Sequence, residues 1–383
     1  MDRTLIESVL VGVNELNDKS LAEARAITEA MILPPSLPAG DGRSIWITRE
    51  GRRAVWKLAQ QWRQSSKYQA RTSDSEADKL LAETIGRALI GQNIDVERAC
   101  FAPTALAAKL DEQIEARILD IEFSFRVRLF NHHKSDHFVI GPISFETGQV
   151  WDDRVRDPEN SMMDIVDRRK FSSTPWIASF WSKGRTHDRA HDHAKACIRL
   201  GMDALCLPLS ISQAREVRSP ADAYDEARRE WVSRLPNHRM GWSGSRDVFG
   251  LRSPADAVEE FLAANRLYLD EVGTSIQSVV SDREHPTHPM LRRRWQEALH
   301  WIGEARRAAD DFVALVQLGI GLDVLAGGRR GGGIERLIAK LEGVAPEETY
   351  TTDGRSVRQL VKQLYNDGRS RLAHGSRFGL LED

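Results

Sequence analysis

The sequence predicts a mixed α+β chain: a helical and small antiparallel-sheet N-terminal region, then an all-α C-terminal helical bundle. Three observations predict it. Apolar residues recur at helical spacing up to about Glu115. Between roughly Leu119 and Trp181 the period falls to two. After Gly250 every apolar stretch returns to helical spacing. At 383 residues the chain has room for two or three domains. The boundaries read 1–118 for a helical region, 119–250 for a sheet with helices that closes in a linker and suits a sensor or regulatory part, and 251–383 for the bundle.

Each element follows from local pattern. Leu5, Val9, Val13 and Leu16 share one helical face, and Val55, Trp56, Leu58 and Trp62 mark a second helix within Glu50–Trp62. Pro34–Gly42 is dense in turn residues and reads as a loop. Ile121–Phe130 alternates apolar and polar, the mark of a half-buried strand. Asn131–Asp136 reads as a polar turn, Phe138–Phe145 as a second strand, and Pro175–Trp181 as a further one. A helix is expected from about Asp188 to Leu205. Ser219-Pro-Ala-Asp222 and Ser253-Pro-Ala-Asp256 each offer a serine N-cap, a proline at the first helical position and an acid in the first turn. Pro236–Gly250 reads as a linker. Helices Pro254–Val280, Pro289–Glu304, Asp310–Leu325, Ile334–Leu341 and Val357–Ala373 then make a compact bundle.

Composition narrows the class of function. A formal net charge of -2 and a pI near 6.6 are unlike a protein coated in phosphate contacts, so any nucleic-acid role rests on a local patch. Cys100, Cys197 and Cys206 fit no paired spacing, which suits reduced thiols. The start lacks a basic segment followed by an apolar one, and no stretch approaches a membrane span. The expectation is a cytoplasmic protein with no membrane partner.

The last helix carries the chemistry. Ser356 and Gln359 form a capping box. Val357, Leu360, Val361, Leu364, Tyr365 and Leu372 then occupy an arc of about 140° on the helical wheel. Arg369, Ser370 and His374 lie on the opposite arc, with Ser370 and His374 four apart on one face. An imidazole can move a proton to or from a ribose hydroxyl near neutral pH. A guanidinium can hold a phosphate and meet charge that develops on it. Those two functions suffice to cleave RNA through its own 2′-OH without a metal.

Tyr365-Asn-Asp-Gly-Arg-Ser-Arg-Leu-Ala-His-Gly375 resembles the closing helix of HEPN domains, the Apea-like group in particular. Trp295 and Glu297, then Phe312–Leu325, then Ile334–Leu341 agree in order, so the resemblance spans roughly Pro254 to Gly379. It implies a helical bundle that dimerises, so that two Arg/His faces share a cleft. It also implies metal-independent endoribonuclease activity in toxins and anti-phage defence, with a phage-derived or cellular trigger. Residue by residue, Arg369 matches the motif arginine, Ser370 the polar residue after it and His374 the motif histidine. Members carry an acid, commonly Glu, on an earlier helix; Asp323 stands at the matching place. Arg371, and Arg329 and Arg330 within Gly327–Gly333, are expected to touch the RNA backbone. Other HEPN domains are non-catalytic modules for dimerisation, RNA binding or partner binding, and that is the alternative reading.

Other constellations are weaker. Gly327–Gly333 follows a helix and lacks the Lys-Ser/Thr ending of a P-loop. Arg292-Arg-Arg-Trp295 pairs charge with an aromatic ring. His187, His191, His193 and Cys197 do not share one helical face, and no zinc motif supports them. His132, His133 and His137 are expected in a water-facing turn. Asp203 and Glu226 show no paired arrangement. No metal and no cofactor are expected.

Overall fold

The computed structural model describes residues 2–14, 35–38, 43–89, 103–129, 136–155, 176–217, 228–234, 240–246, 256–280 and 288–365. The fold is mixed α+β, and the chain forms two compact units: residues 1–121 with 182–193, and residues 122–181 with 194–383.

The first unit is mainly helical. Helices α1 (Arg3–Asn14), α2 (Arg49–Ser65), α3 (Asp74–Leu89) and α4 (Pro103–Glu115) enclose a core of Val55, Leu58, Trp62, Leu80, Leu81, Ile85 and Leu110. Thr48 caps α2 by accepting from Gly51 N at 3.2 Å. The Pro34–Gly42 stretch departs from the expected loop. Ser36–Pro38 forms a short strand, β1, paired antiparallel with β2 (Ser44–Trp46). Leu37 is the reason: its side chain is fully buried in the helical core, which holds the backbone extended.

The second unit is built on a four-stranded sheet in the order β3 (Leu119–Val127), β6 (Trp176–Arg185), β5 (Ile143–Glu146), β4 (His137–Ile140). Phe138–Phe145, expected as one strand, is a hairpin instead. Gly141 takes a φ of +55°, so the chain reverses and Ile140 pairs with Ile143. The long strand β6 then pairs with β5 and separates it from β3. The turn histidines His132 and His133 lie outside the described residues, while His137 is exposed on β4. Helix α5 (Gly148–Val155) follows β5, and Trp151 donates its indole N–H to Ser124 Oγ at 3.0 Å.

Helix α6 (His187–Cys206) starts because Glu76 of α3 reaches its first turn. The Glu76 carboxylate accepts from Asp188 N at 2.9 Å and from the Thr186 hydroxyl. The one-turn helix α7 (Ile211–Ala214) opens on a Ser210/Gln213 capping box. The stretch expected as a linker contains a strand: β8 (Met240–Arg246) pairs antiparallel with β7 (Arg228–Arg234). Ser219 and Ser253 lie outside the described residues; helix α8 begins at Asp256 (Asp256–Ala264) and breaks at Asn265 before α9 (Arg266–Val280). Then come α10 (Pro289–Arg307), α11 (Asp311–Leu325), α12 (Arg330–Glu342) and α13 (Val357–Val361). Among the described residues no single helix is long and apolar enough to cross a membrane.

Sheet and C-terminal helices share one core. Phe145, Trp176 and Phe180 from the strands pack with Val258, Leu269, Val272, Ile276 and Leu299 from α8, α9 and α10. Two glycines let the sheet approach α9. A Cβ on Gly273 would fall within 3.0 Å of the Gly141 backbone, and neither backbone can swing away as a side chain could. Gly273→Ala is therefore expected to destabilise the protein by about 2–3 kcal/mol in urea unfolding. An unchanged midpoint would show that the two backbones are not in contact.

Candidate functional site

Asp323 joins the pieces that lead into the C-terminal motif. It sits in the last turn of α11, half-buried. Its Oδ1 accepts from Arg330 N at 2.8 Å, and its Oδ2 accepts from the Tyr365 hydroxyl at 3.3 Å. The first bond holds a sharp turn. Gly327, Gly328 and Arg330 all have positive φ, so α12 leaves α11 at 73°. Two of these positions are glycines, which take that conformation without a Cβ penalty. Arg330 takes it too, with its backbone N–H fixed by the Asp323 carboxylate.

The second bond anchors the final helix. The Ser356/Gln359 capping box expected from sequence is formed, and α13 widens into a π turn over 362–365. Val357, Val361 and Tyr365 pack on Ile334 of α12, with Leu322 and Ala326 beside them. Arg358 reaches back to Glu335 at 2.9 Å. Arg369, Ser370, Arg371 and His374 lie outside the described residues. Tyr365 is thus the last described residue before the motif. Arg329 and Arg330 are exposed at the start of α12.

A second polar cluster escaped the sequence reading, which had set Asp203 aside as unpaired. Asp203 of α6 is fully buried, and α10 supplies its partners. Arg307 Nη2 lies 2.5 Å from Asp203 Oδ1, and His300 Nδ1 lies 3.1 Å from Oδ2. Glu304 meets the same Arg307 guanidinium and also Arg199 at 2.8 Å. His300, Gly303, Glu304 and Arg307 fall at i, i+3, i+4 and i+7, so they form one stripe on α10. Gly303 is what lets α6 approach: a Cβ there would lie 2.5 Å from Asp203 Oδ1. Arg306 caps the end of α6 by donating to the Cys206 and Leu209 carbonyls. The available signal was that stripe, polar residues at helical spacing in a helix otherwise suited to a bundle.

Burial pushes the Asp203 carboxyl above the ordinary carboxylate range, although Arg307 and His300 pull it back. Burial also raises Glu304, but Arg307 and Arg199 outweigh it and hold that group below its ordinary value. Burial pushes the Cys206 thiol up to about 11, so it stays protonated. Asp203, His300 and Glu304 are the described residues whose metal-type donor atoms gather within 4.8 Å of one another. Arg307 already gives positive charge to both carboxylates, and a divalent cation would have to displace it. The geometry is that of a charge-balanced structural lock.

Of the residues weighed for zinc, His187 is exposed, His191 and His193 are partly buried and Cys197 is buried. The Ser182 hydroxyl lies 3.2 Å from His193 Nδ1. Burial, with Arg185 and Arg189 adding to it, pulls the His193 imidazole down to about 4. No family model, curated protein or solved structure matches this chain.

Two outcomes follow. Arg307→Leu strands a buried carboxylate and is expected to cost about 3–5 kcal/mol. Asp203→Leu combined with Arg307→Leu removes both charges and should recover most of that loss; equal instability of single and double variants in chemical unfolding would refute the pairing. For His193, the folded imidazole titrates near 4 and the unfolded one near 6.5. The unfolded state therefore binds the extra proton first, and this group's contribution is full above about pH 6.5 and lost as pH falls toward 4. Between pH 7.5 and 4.5, wild type should lose about 2–3 kcal/mol more than His193→Gln. Parallel pH profiles for the two proteins would contradict a neutral buried imidazole.

Proposed function

We propose that the chain is a cytoplasmic, metal-independent endoribonuclease of the HEPN type, acting as a toxin or anti-phage effector. In this reading His374 is the general acid/base, Arg369 holds the scissile phosphate and Ser370 orients the pair. Attack by the 2′-OH displaces the 5′ oxygen of the next nucleotide and leaves a 2′,3′-cyclic phosphate. The Arg/His face is half of a composite site, so the active species is a homodimer, released by a phage-derived or cellular trigger.

One observation supports the reading beyond the motif. The acid that stands at the family's acidic position, Asp323, is bonded to Tyr365, the aromatic residue that precedes the Arg-Ser pair. Asp323 thereby ties the root of the motif helix to α11 and to the arginine-bearing loop through Arg330 N. Such an anchor fixes the described start of the helix on which the sequence places the motif. Arg329 and Arg330 follow Asp323 in sequence and Arg371 follows Tyr365; in this reading all three meet RNA phosphates.

The test is cleavage of RNA by the purified full chain in excess EDTA, with product ends analysed. Wild type is expected to give 2′,3′-cyclic phosphate ends. Arg369→Ala and His374→Ala are each expected to reduce the rate by at least about 100-fold, the scale of a lost general acid/base or charge-stabilising group. On induced expression, only wild type should be toxic. Full toxicity of His374→Ala would favour the non-catalytic module instead.

A further inference from the structure

Helices α10 and α11 run antiparallel at close range. A Cβ on Gly321 would meet Ile302 Cγ1 at 2.7 Å and Ala298 O at 3.2 Å. One turn earlier on α10, and just past the end of α11, the same register brings Arg294 to Gly327. A Cβ on Gly327 would lie 2.9 Å from Arg294 Nη1. Arg329 and Arg330 follow two and three residues later. At 3.8 Å per step, their Cα atoms lie within about 11 Å of Gly327.

These three guanidinium groups differ from the other arginines of α10. Arg292 donates to Thr274 O at 3.3 Å, Arg293 pairs with Glu297 at 2.9 Å, Arg306 caps α6 and Arg307 is locked to Asp203. Arg294, Arg329 and Arg330 are exposed, and among the described residues their guanidinium groups have no ion pair or hydrogen bond. Four backbone N–H groups around the loop are already used. Gly327 donates to Val324 O, Gly328 to Asp323 O, Arg330 to Asp323 Oδ1 and Gly333 to Arg329 O. An arriving anion would meet side-chain charge there. Asp323 is the carboxylate bonded into this loop, and its two oxygens face Arg330 N and the Tyr365 hydroxyl. Among the described residues, three cations against one carboxylate leave a local excess in a chain whose formal net charge is -2. Among the described residues, a Cβ at Gly328 or Gly332 would meet nothing within 4 Å, so none of them closes the approach over the loop.

We propose that Arg294, Arg329 and Arg330 form a collar that holds consecutive phosphates of a single-stranded RNA. The choice of RNA as the polyanion rests on the ribonuclease reading; the convergence of charge does not. Guanidinium forks suit phosphate oxygens in bidentate geometry. The collar lies beside the Asp323–Tyr365 anchor.

The experiment uses the full wild-type chain and a fluorescein-labelled 2′-O-methyl oligouridine of 15 nucleotides, which lacks the attacking hydroxyl and cannot be cut. Fluorescence anisotropy gives Kd between 50 and 300 mM KCl. Arg294→Gln, Arg329→Gln and Arg330→Gln are each expected to weaken binding about 3–10-fold at low salt, and each should reduce the slope of log K against log salt by about 0.7. Arg293→Gln, whose charge is already paired, should bind as wild type. The collar is overturned if the triple variant keeps wild-type affinity and slope, if Arg293→Gln loses as much as the collar variants, or if polyglutamate displaces the RNA as well as unlabelled oligouridine does. Failure of the nuclease reading looks different: wild type would cut no RNA, yet collar variants would still lose oligonucleotide binding.

Discussion

A carboxylate with no access to water cannot stand alone, and Asp203 is such a carboxylate. It lies in the apolar stretch near the end of α6, so the helix that packs there must bring a cation and leave space for the acid. Helix α10 does both, with Arg307 as the cation and Gly303 as the space. This sets the face of α10 that turns inward. The opposite requirement, close approach at Gly321, then sets α11 against α10. The α10–α11 register in turn determines which residues meet at the loop before α12. The loop that carries Asp323 and Arg330 thus lies at the end of the α10–α11 pair.

Charge in the second unit is sorted by burial. Inside, Asp203, Glu304, Arg199 and Arg307 balance one another and hold α6 to α10. Swapping such a pair for apolar residues costs little, while breaking it costs much, so its value lies in specifying one packing. Outside, at Gly327–Gly333, Arg329 and Arg330 make no ion pair among the described residues. That contrast gives the two clusters different roles: the inner one is complete without a ligand, and the outer one is suited to meeting an anion.

Local pattern foretold elements whose cause is local. The α13 capping box, the α10 and α11 helices and the alternating strand β3 all follow from neighbours within a turn or two. The hairpin at Gly141 was legible only in part, because a glycine inside an apolar run also fits a continuous strand. β1, β2, β7 and β8 were not foreseen: turn-rich composition around β1 and β8 describes loops and short strands equally well, and β2 and β7 are defined by pairing with them. The Asp203 cluster was illegible, since its partners lie 97 and 104 residues away and nothing near Asp203 announces them.

The sequence by itself determined the mixed fold class, the helical character of the C-terminal region and the Arg369–His374 motif with its aromatic lead. These depend on periodicity and short spacing, which chain connectivity imposes. Tertiary structure alone decided that sheet and C-terminal helices share one core, that Asp203 faces Arg307, and that Arg294 reaches the glycine loop. Each depends on which helix faces pack together. That choice is made by burial and close backbone approach across long stretches of chain, and no local pattern encodes it.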